Sequence, residues 1–209
     1  MAALEEVKRQ QVTHRQRQAE QTRQLIVRAA RSLFASRGYA ETSIEAVAEE
    51  AGVSPRTVYT VFGTKKALLA AICEAWLVEA GIPEAIAEST REPILRRRLV
   101  TIARTSRRQW ELENGTLALL QGAAASDAEV ARMLMGWQGD RAQGWHMVVA
   151  GLEPQLRSGI KASWAAAMIR ILTTAEVYFE LVRGEGWSPE QYEEWLGGML
   201  IQLLLPAPQ

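Results

Sequence analysis

The chain has 209 residues, with 24 basic side chains balanced by 24 acidic ones. Hydrophobic residues make up 48% and charged residues 23%, which excludes a disordered or fibrous chain and permits a packed core. The most apolar stretches, such as residues 199–205, are far shorter than the roughly 20 residues that cross a membrane. No basic segment followed by an apolar one opens the chain, so no signal peptide and no membrane partner are expected. The single cysteine, Cys73, excludes an internal disulfide and a multi-cysteine zinc site, and a reducing, cytoplasmic setting is the expectation. Its apolar helical surroundings point to an inert, packed thiol, with a redox sensor as the alternative.

Zero net charge conceals an asymmetry. Between residues 8 and 40 eight lysines and arginines face one acid, Glu20, whereas residues 81–209 carry 13 basic and 15 acidic side chains. A basic front end points modestly toward a polyanionic partner.

The periodicity is helical nearly throughout, and β-branched runs with strict alternation are missing. Residues 1–20 are polar and rich in Gln and Arg, and they read as a flexible or partly helical basic arm whose Arg15 and Arg17 are solvated or reach a minor groove. A first helix starts near Thr22 and buries Ile26, Ala29, Ala30, Leu33 and Phe34, with Gly38 as its stop. Thr42 is expected to cap a second helix, with Glu45 completing a capping box, and Gly52 ends it. Ser54-Pro55 opens a short third helix with an N-cap residue and a proline at the first helical position. Thr64 caps a fourth, with Leu68, Leu69, Ile72, Trp76 and Leu77 on its apolar side. Gly81-Ile82-Pro83 marks the expected domain boundary, giving an arm over 1–20, a head over 21–80 and a second domain over 81–209. Beyond it a helix from Pro93 turns Leu95, Leu99 and Ile102 inward and a stripe of Arg97, Arg104 and Arg108 outward. Helices over 116–124 and 126–150 follow, and two strongly amphipathic helices over 159–183 and 188–205 close the chain.

Residues 42–63, TSIEAVAEEAGVSPRTVYTVFG, place two capped helices around the turn Ala51-Gly52-Val53, a helix-turn-helix. Val47, Val53 and Val58 pack the two helices together, and Ser54, Arg56, Thr57, Tyr59 and Thr60 keep the second one polar. A helix of this size enters a DNA major groove and reads base edges.

The run Gly38-Tyr39, Thr42-Ser43-Ile44, Val47-Ala48, Ala51-Gly52-Val53-Ser54 and Tyr59-x-x-Phe62-x-Thr64-Lys65-x-x-Leu68 resembles the N-terminal domain of the TetR family of repressors, over about residues 22–70. The resemblance implies a homodimer, a duplex operator as partner, and a C-terminal domain whose small-molecule effector releases the DNA. It implies phosphate contacts from Thr42 and Ser43, base reading by Arg56, Thr57 and Thr60, and further phosphate contacts from Tyr59 and Lys65. Val61 stands where the family has a histidine or tyrosine, and Lys66 where an acid is common, so Lys66 adds a candidate phosphate contact.

Five of the seven tryptophans, Trp76, Trp110, Trp137, Trp145 and Trp164, fall on helices expected to surround a cavity. A ligand set of Trp76, Trp110, Trp137, Trp145 and Met168 supplies apolar walls, with Gln121, Gln138, Gln143, His146 and Glu176 as polar groups. The competing reading is that these side chains fill a helical core. Dimerisation is expected through the last two helices, by Trp164, Ile171, Leu172 and Phe179 on one and Trp195, Met199, Leu200 and Leu203 on the other. His14 and His146 lie far apart without metal-ligand spacing, and Gly184-Glu185-Gly186 lacks the third glycine of a nucleotide loop, so no metal, cofactor or catalytic set is expected. The expectation is therefore an all-α protein, a three-helix head with a fourth connecting helix joined to a helical bundle. An alternative keeps the DNA-binding dimer and dispenses with the small molecule, leaving a protein-controlled or architectural role.

Overall fold

The computed structural model describes the backbone of residues 2–207 and the side chains of residues 14–137 and 144–207. Gln138 and Gln143 therefore lie outside the described side chains. Among the described residues there are helices and connections and no strand, in keeping with the all-α reading. None of these helices is long and apolar enough to cross a membrane.

Two compact units form, Met1–Glu74 with Gly115–Ala131, and Ala75–Asn114 with Arg132–Gln209. The first divide falls six residues before the expected boundary, and residues 115–131 join the first unit rather than the second.

The first unit opens on α1 (Ala2–Arg37), one uninterrupted helix. Of the two forms expected for the arm, the described residues from 2 onward take the helical one: residues 2–37 contain neither glycine nor proline and are rich in Ala, Gln, Glu and Arg, all favourable in helices. Side chains from His14 to Gln21 are exposed, whereas Ile26, Ala30, Leu33 and Phe34 are buried. α2 (Ile44–Glu50) and α3 (Pro55–Phe62) follow, and α4 (Lys65–Glu79) contributes buried Leu68, Leu69 and Ile72. α7 (Thr116–Ser126) packs against α1 in the same unit. Arg23, which the sequence did not single out, pairs with Glu74 at 2.9 Å and lies 5.2 Å from the centre of the Phe62 ring.

In the second unit α5 (Ile82–Arg91) begins where a bare break was expected, because Pro83 in its first turn starts a helix as readily as it ends one. α6 (Leu95–Glu111) lies along α11 (Pro189–Leu204), and their facing side chains make the core: Leu95, Leu99 and Ile102 from one, Tyr192, Leu196, Leu200 and Leu204 from the other. α8 (Ala128–Val149) precedes the short turn Glu153–Gln155. The single helix expected over 159–183 is broken into α9 (Ala162–Leu172), α10 (Ala175–Phe179) and a π-helical turn, Glu180–Gly184. At the break the Thr173 hydroxyl donates to the Ile169 carbonyl at 2.8 Å, and Thr174 is extended at φ −75° and ψ 159°. Threonine hydroxyls compete in this way with backbone hydrogen bonding.

Candidate nucleic-acid interface

The helix-turn-helix is built by short-range chemistry. Ser43, not Thr42, is the N-cap of α2: its hydroxyl accepts from the Ala46 N–H at 3.1 Å. The helix closes with Val53 N–H to the Ala48 carbonyl at 2.9 Å and Gly52 N–H to the Glu49 carbonyl at 3.1 Å. This pairing needs a left-handed residue at its corner, and Gly52 supplies it at φ +67°. Ser54 then caps α3, accepting from the Thr57 N–H at 3.1 Å, with Pro55 in the first turn. Val47 and Val58 are fully buried between the helices, and Val53 is half-buried.

What remains outside is polar. Arg56, Tyr59 and Thr60 are exposed on α3, Thr57 is half-buried, and Tyr59 keeps 51% of its surface in water. The Thr60 hydroxyl donates back to the Arg56 carbonyl at 2.8 Å, and those of Thr57 and Ser54 lie 2.8 Å apart. Val61 is also exposed.

Three residues expected on the interface are engaged elsewhere. Thr42 is buried, and its hydroxyl donates to the Gly38 carbonyl at 2.8 Å, because the loop folds it under α1. The Lys65 ammonium donates to the carbonyls of Tyr39, Ala40 and Thr42 at 2.8, 3.2 and 3.1 Å. An ammonium has three N–H donors, and all three are used. Lys66 is half-buried and paired with Glu129, just inside the N-terminus of α8. The partners of Lys65 and Lys66 lie 23 to 63 residues away in sequence, so helical periodicity carried no sign of them.

Of the expected ligand set, the structure brings two members together. Trp76 and Trp110 meet at 5.6 Å between ring centres, with Phe179 beyond Trp110 at 6.3 Å. Both indoles are buried, and their N–H groups donate to the Gln109 and Thr173 carbonyls at 3.2 and 3.0 Å. Trp137, Trp145 and Met168 are half-buried. Gln121, His146 and Glu176 are exposed, because each falls on the outer side of its helix, so they are surface groups here rather than cavity groups. Two concavities of the second unit lie elsewhere, one of about 580 Å³ along Glu84, Glu88 and Arg91 and one of about 270 Å³ at Trp187, Gln191, Glu194 and Trp195.

Of the expected dimer contacts, Trp164 and Ile171 stay 40% and 45% exposed on α9. Leu172, Phe179, Trp195, Met199 and Leu203 are half-buried. Leu200 is fully buried against the protomer's own core and is withdrawn from that set. The second apolar face of α11 closes on α6, which takes up hydrophobic surface that the sequence alone left unassigned.

Comparison with known proteins agrees with this architecture. Residues 26–72 match the family described as bacterial regulatory proteins, tetR family. The transcriptional regulator TcmR of Streptomyces glaucescens is 39% identical over 67 residues, a stretch that spans 30% of this chain and 30% of that protein. Among solved structures, SmeT bound to triclosan is similar with a TM-score of 0.68 at 20% identity, over 90% of this chain and 98% of that one. A TetR-family regulator from Syntrophomonas wolfei gives 0.65 at 20% identity, over 87% and 93%. A regulator from Saccharomonospora viridis in complex with choline gives 0.63 at 21%, over 90% and 100%. These structural likenesses concern the fold. The matched segment 26–72 runs from the buried face of α1 into α4 and contains the whole helix-turn-helix, so it is this segment of the chain that is similar to the tetR family of bacterial regulatory proteins.

Proposed function

We propose that the chain is a repressor that binds a palindromic DNA duplex as a homodimer and is released by a small, mainly apolar effector. The observation that carries the DNA reading is the one-sided burial of α3: Val58 is 1% exposed while Arg56, Tyr59 and Thr60 face water. A helix of eight residues is about 12 Å long and fits a major groove about 12 Å wide. Arg56 reads a guanine edge, Thr57 and Thr60 read its neighbours, and Tyr59, Ser43 and the rim hydroxyl of Ser54 meet phosphate. In selection from a random duplex library the chain should enrich an inverted repeat. Arg56→Ala should then weaken the selected site by about 1–3 kcal/mol and relax one position of it. Equal affinity of that variant for the selected and scrambled duplexes, with wild type discriminating, would support the assignment; unchanged discrimination would refute it.

Effector release is supported by two observations. Two similar structures hold small molecules, triclosan in one and choline in the other. This chain places Trp76, Trp110 and Phe179 in one aromatic cluster. An effector coupled to DNA by roughly 1–3 kcal/mol lowers operator affinity 5- to 150-fold, and DNA lowers effector affinity by the same factor. Titration of an effector with and without operator checks that equality. A second reading, a DNA-binding dimer without a small molecule, is favoured by the satisfied indole N–H groups of Trp76 and Trp110. A compound screen by tryptophan fluorescence separates the two, since only the first predicts saturable shifts that DNA reverses.

A further inference from the structure

Lys65 occupies an unusual place in the chain. It is the first residue of α4, immediately after the recognition helix has ended at Phe62 and turned through Gly63 and Thr64. From there its side chain reaches back 23 to 26 residues, to carbonyls of the loop that leads into α2. Its ammonium also lies 4.5 Å from the centre of the buried Tyr39 ring. Tyr39 in turn packs edge-on against Phe34 of α1 at 5.2 Å. Three carbonyls and one aromatic face thus surround a single cation, and the side chain is only half-exposed.

Resting on the DNA-binding reading above, we propose that Lys65 is a positioning residue: it joins the entry and the exit of the helix-turn-helix and so sets α3 against α2, without itself contacting phosphate. The donor count supports this, because a phosphate oxygen would have to displace a carbonyl already bonded at 2.8–3.2 Å. Charge-assisted hydrogen bonds of this kind are about twice as strong as neutral ones. Their loss leaves the loop over 38–43 free to open, and a head that is competent only part of the time binds more weakly by that fraction. The bound complex keeps its phosphate contacts, so its salt dependence does not change.

Three measurements on the full-length chain test this. Operator affinity as a function of salt is compared for wild type, Lys65→Met and Lys65→Arg, under conditions where circular dichroism shows each variant folded. Lys65→Met should bind roughly tenfold more weakly with an unaltered salt slope. Lys65→Arg keeps the charge, but its planar guanidinium does not fit a three-carbonyl nest, so it should lose affinity too. A phosphate contact predicts the opposite pair of results: a slope lower by about 0.9 for Lys65→Met and near-normal binding for Lys65→Arg. Either of those results overturns the proposal. The third measurement needs no DNA. Amide exchange over residues 38–47 should be faster in Lys65→Met than in wild type, and equal exchange also overturns it. A wild-type chain that binds no selected duplex, with exchange accelerated in the variant, would sink the DNA-binding reading and leave the structural clamp in place.

Discussion

Thr42 and Ser43 carry the same functional group one position apart, and their surroundings give them different work. The Thr42 hydroxyl is buried and donates to the Gly38 carbonyl, while that of Ser43 is exposed and accepts from the Ala46 N–H. Thr42→Val should destabilise the chain by about 1–2 kcal/mol, because the buried Leu33 carbonyl, 3.3 Å from this hydroxyl, and the Gly38 carbonyl both lose it as a donor. In thermal melts that loss should appear with no change in the salt slope of DNA binding, because no phosphate contact is removed. Ser43→Ala should cost about 1 kcal/mol through the lost cap and weaken DNA binding besides. Cys73 offers a second test at this scale. Burial pushes its thiol up to about 11 from an ordinary 9.0. At pH 8 only about one thiol in a thousand is then ionised, and the thiolate is the reactive form. A thiol reagent should therefore leave the folded chain unlabelled and react once denaturant is added. The sign of the linkage follows: the folded state holds this proton more tightly, so the contribution to stability is complete below pH 9 and declines as pH rises from there toward 11.

At the scale of elements, ends decide more than middles. α2 closes through Gly52 at φ +67°, and an added Cβ there would meet nothing within 4 Å. Gly52→Ala is strained by conformation alone and should cost about 1 kcal/mol in a denaturant titration. Arg98 on α6 shows the same logic in the second unit. Its guanidinium is buried, and it donates to the carbonyl of Glu92, at the end of α5, and to that of Val148, at the end of α8, both at 2.6 Å. Helix C-termini carry partial negative charge, which suits a cation held without a carboxylate. Gln155 completes the joint, accepting from the Leu95 N–H at 2.8 Å and donating to the Pro93 carbonyl at 2.7 Å. Arg98→Met should lower stability by about 2–3 kcal/mol, through two helix ends deprived of their donor.

For the whole molecule, the homodimer proposed above raises the question of which apolar surface would pair two copies. Trp164 and Ile171 stand seven residues apart on α9 and share one exposed face, whereas Leu200 is enclosed. Trp164→Glu combined with Ile171→Glu should yield a folded monomer in sedimentation, with helical circular dichroism unchanged. Leu200→Glu should unfold the protomer instead, since it buries a charge in the α6–α11 core. A double variant that still sediments as a dimer would remove α9 from the interface. The basic bias of residues 8–40 belongs to this scale as well, since it falls on the unit that holds the helix-turn-helix. It should make non-specific DNA binding steeply dependent on salt.

The helix-turn-helix was legible because its information is local. Ser54-Pro55, Gly52 and the spacing of Val47 and Val58 act within a few residues of one another, where capping, a left-handed corner and the 3.6-residue period operate. The inward faces of α1, α4 and α6 followed from the same period. Long polar side chains were a different matter. Lys65 bonds carbonyls 23 to 26 residues back, Lys66 pairs with Glu129 across 63 residues, and Arg98 reaches a carbonyl 50 residues on. A lysine or arginine donates equally well to phosphate, carboxylate or carbonyl, so its residue type does not name its partner. Apolar stripes carry the same ambiguity, because a leucine facing its own core and one facing a second copy repeat at the same interval. By itself the sequence determined that the chain is helical, which faces of α1, α4 and α6 are apolar, and where the turn between α2 and α3 falls, but not α5 or the break at Thr173. Only the tertiary structure decided that Lys65 bonds carbonyls of the loop before α2 and Lys66 the Glu129 carboxylate, that Leu200 belongs to the chain's own core, and that Gln121, His146 and Glu176 face water, since each of these depends on which distant surface arrives to compete for the same group.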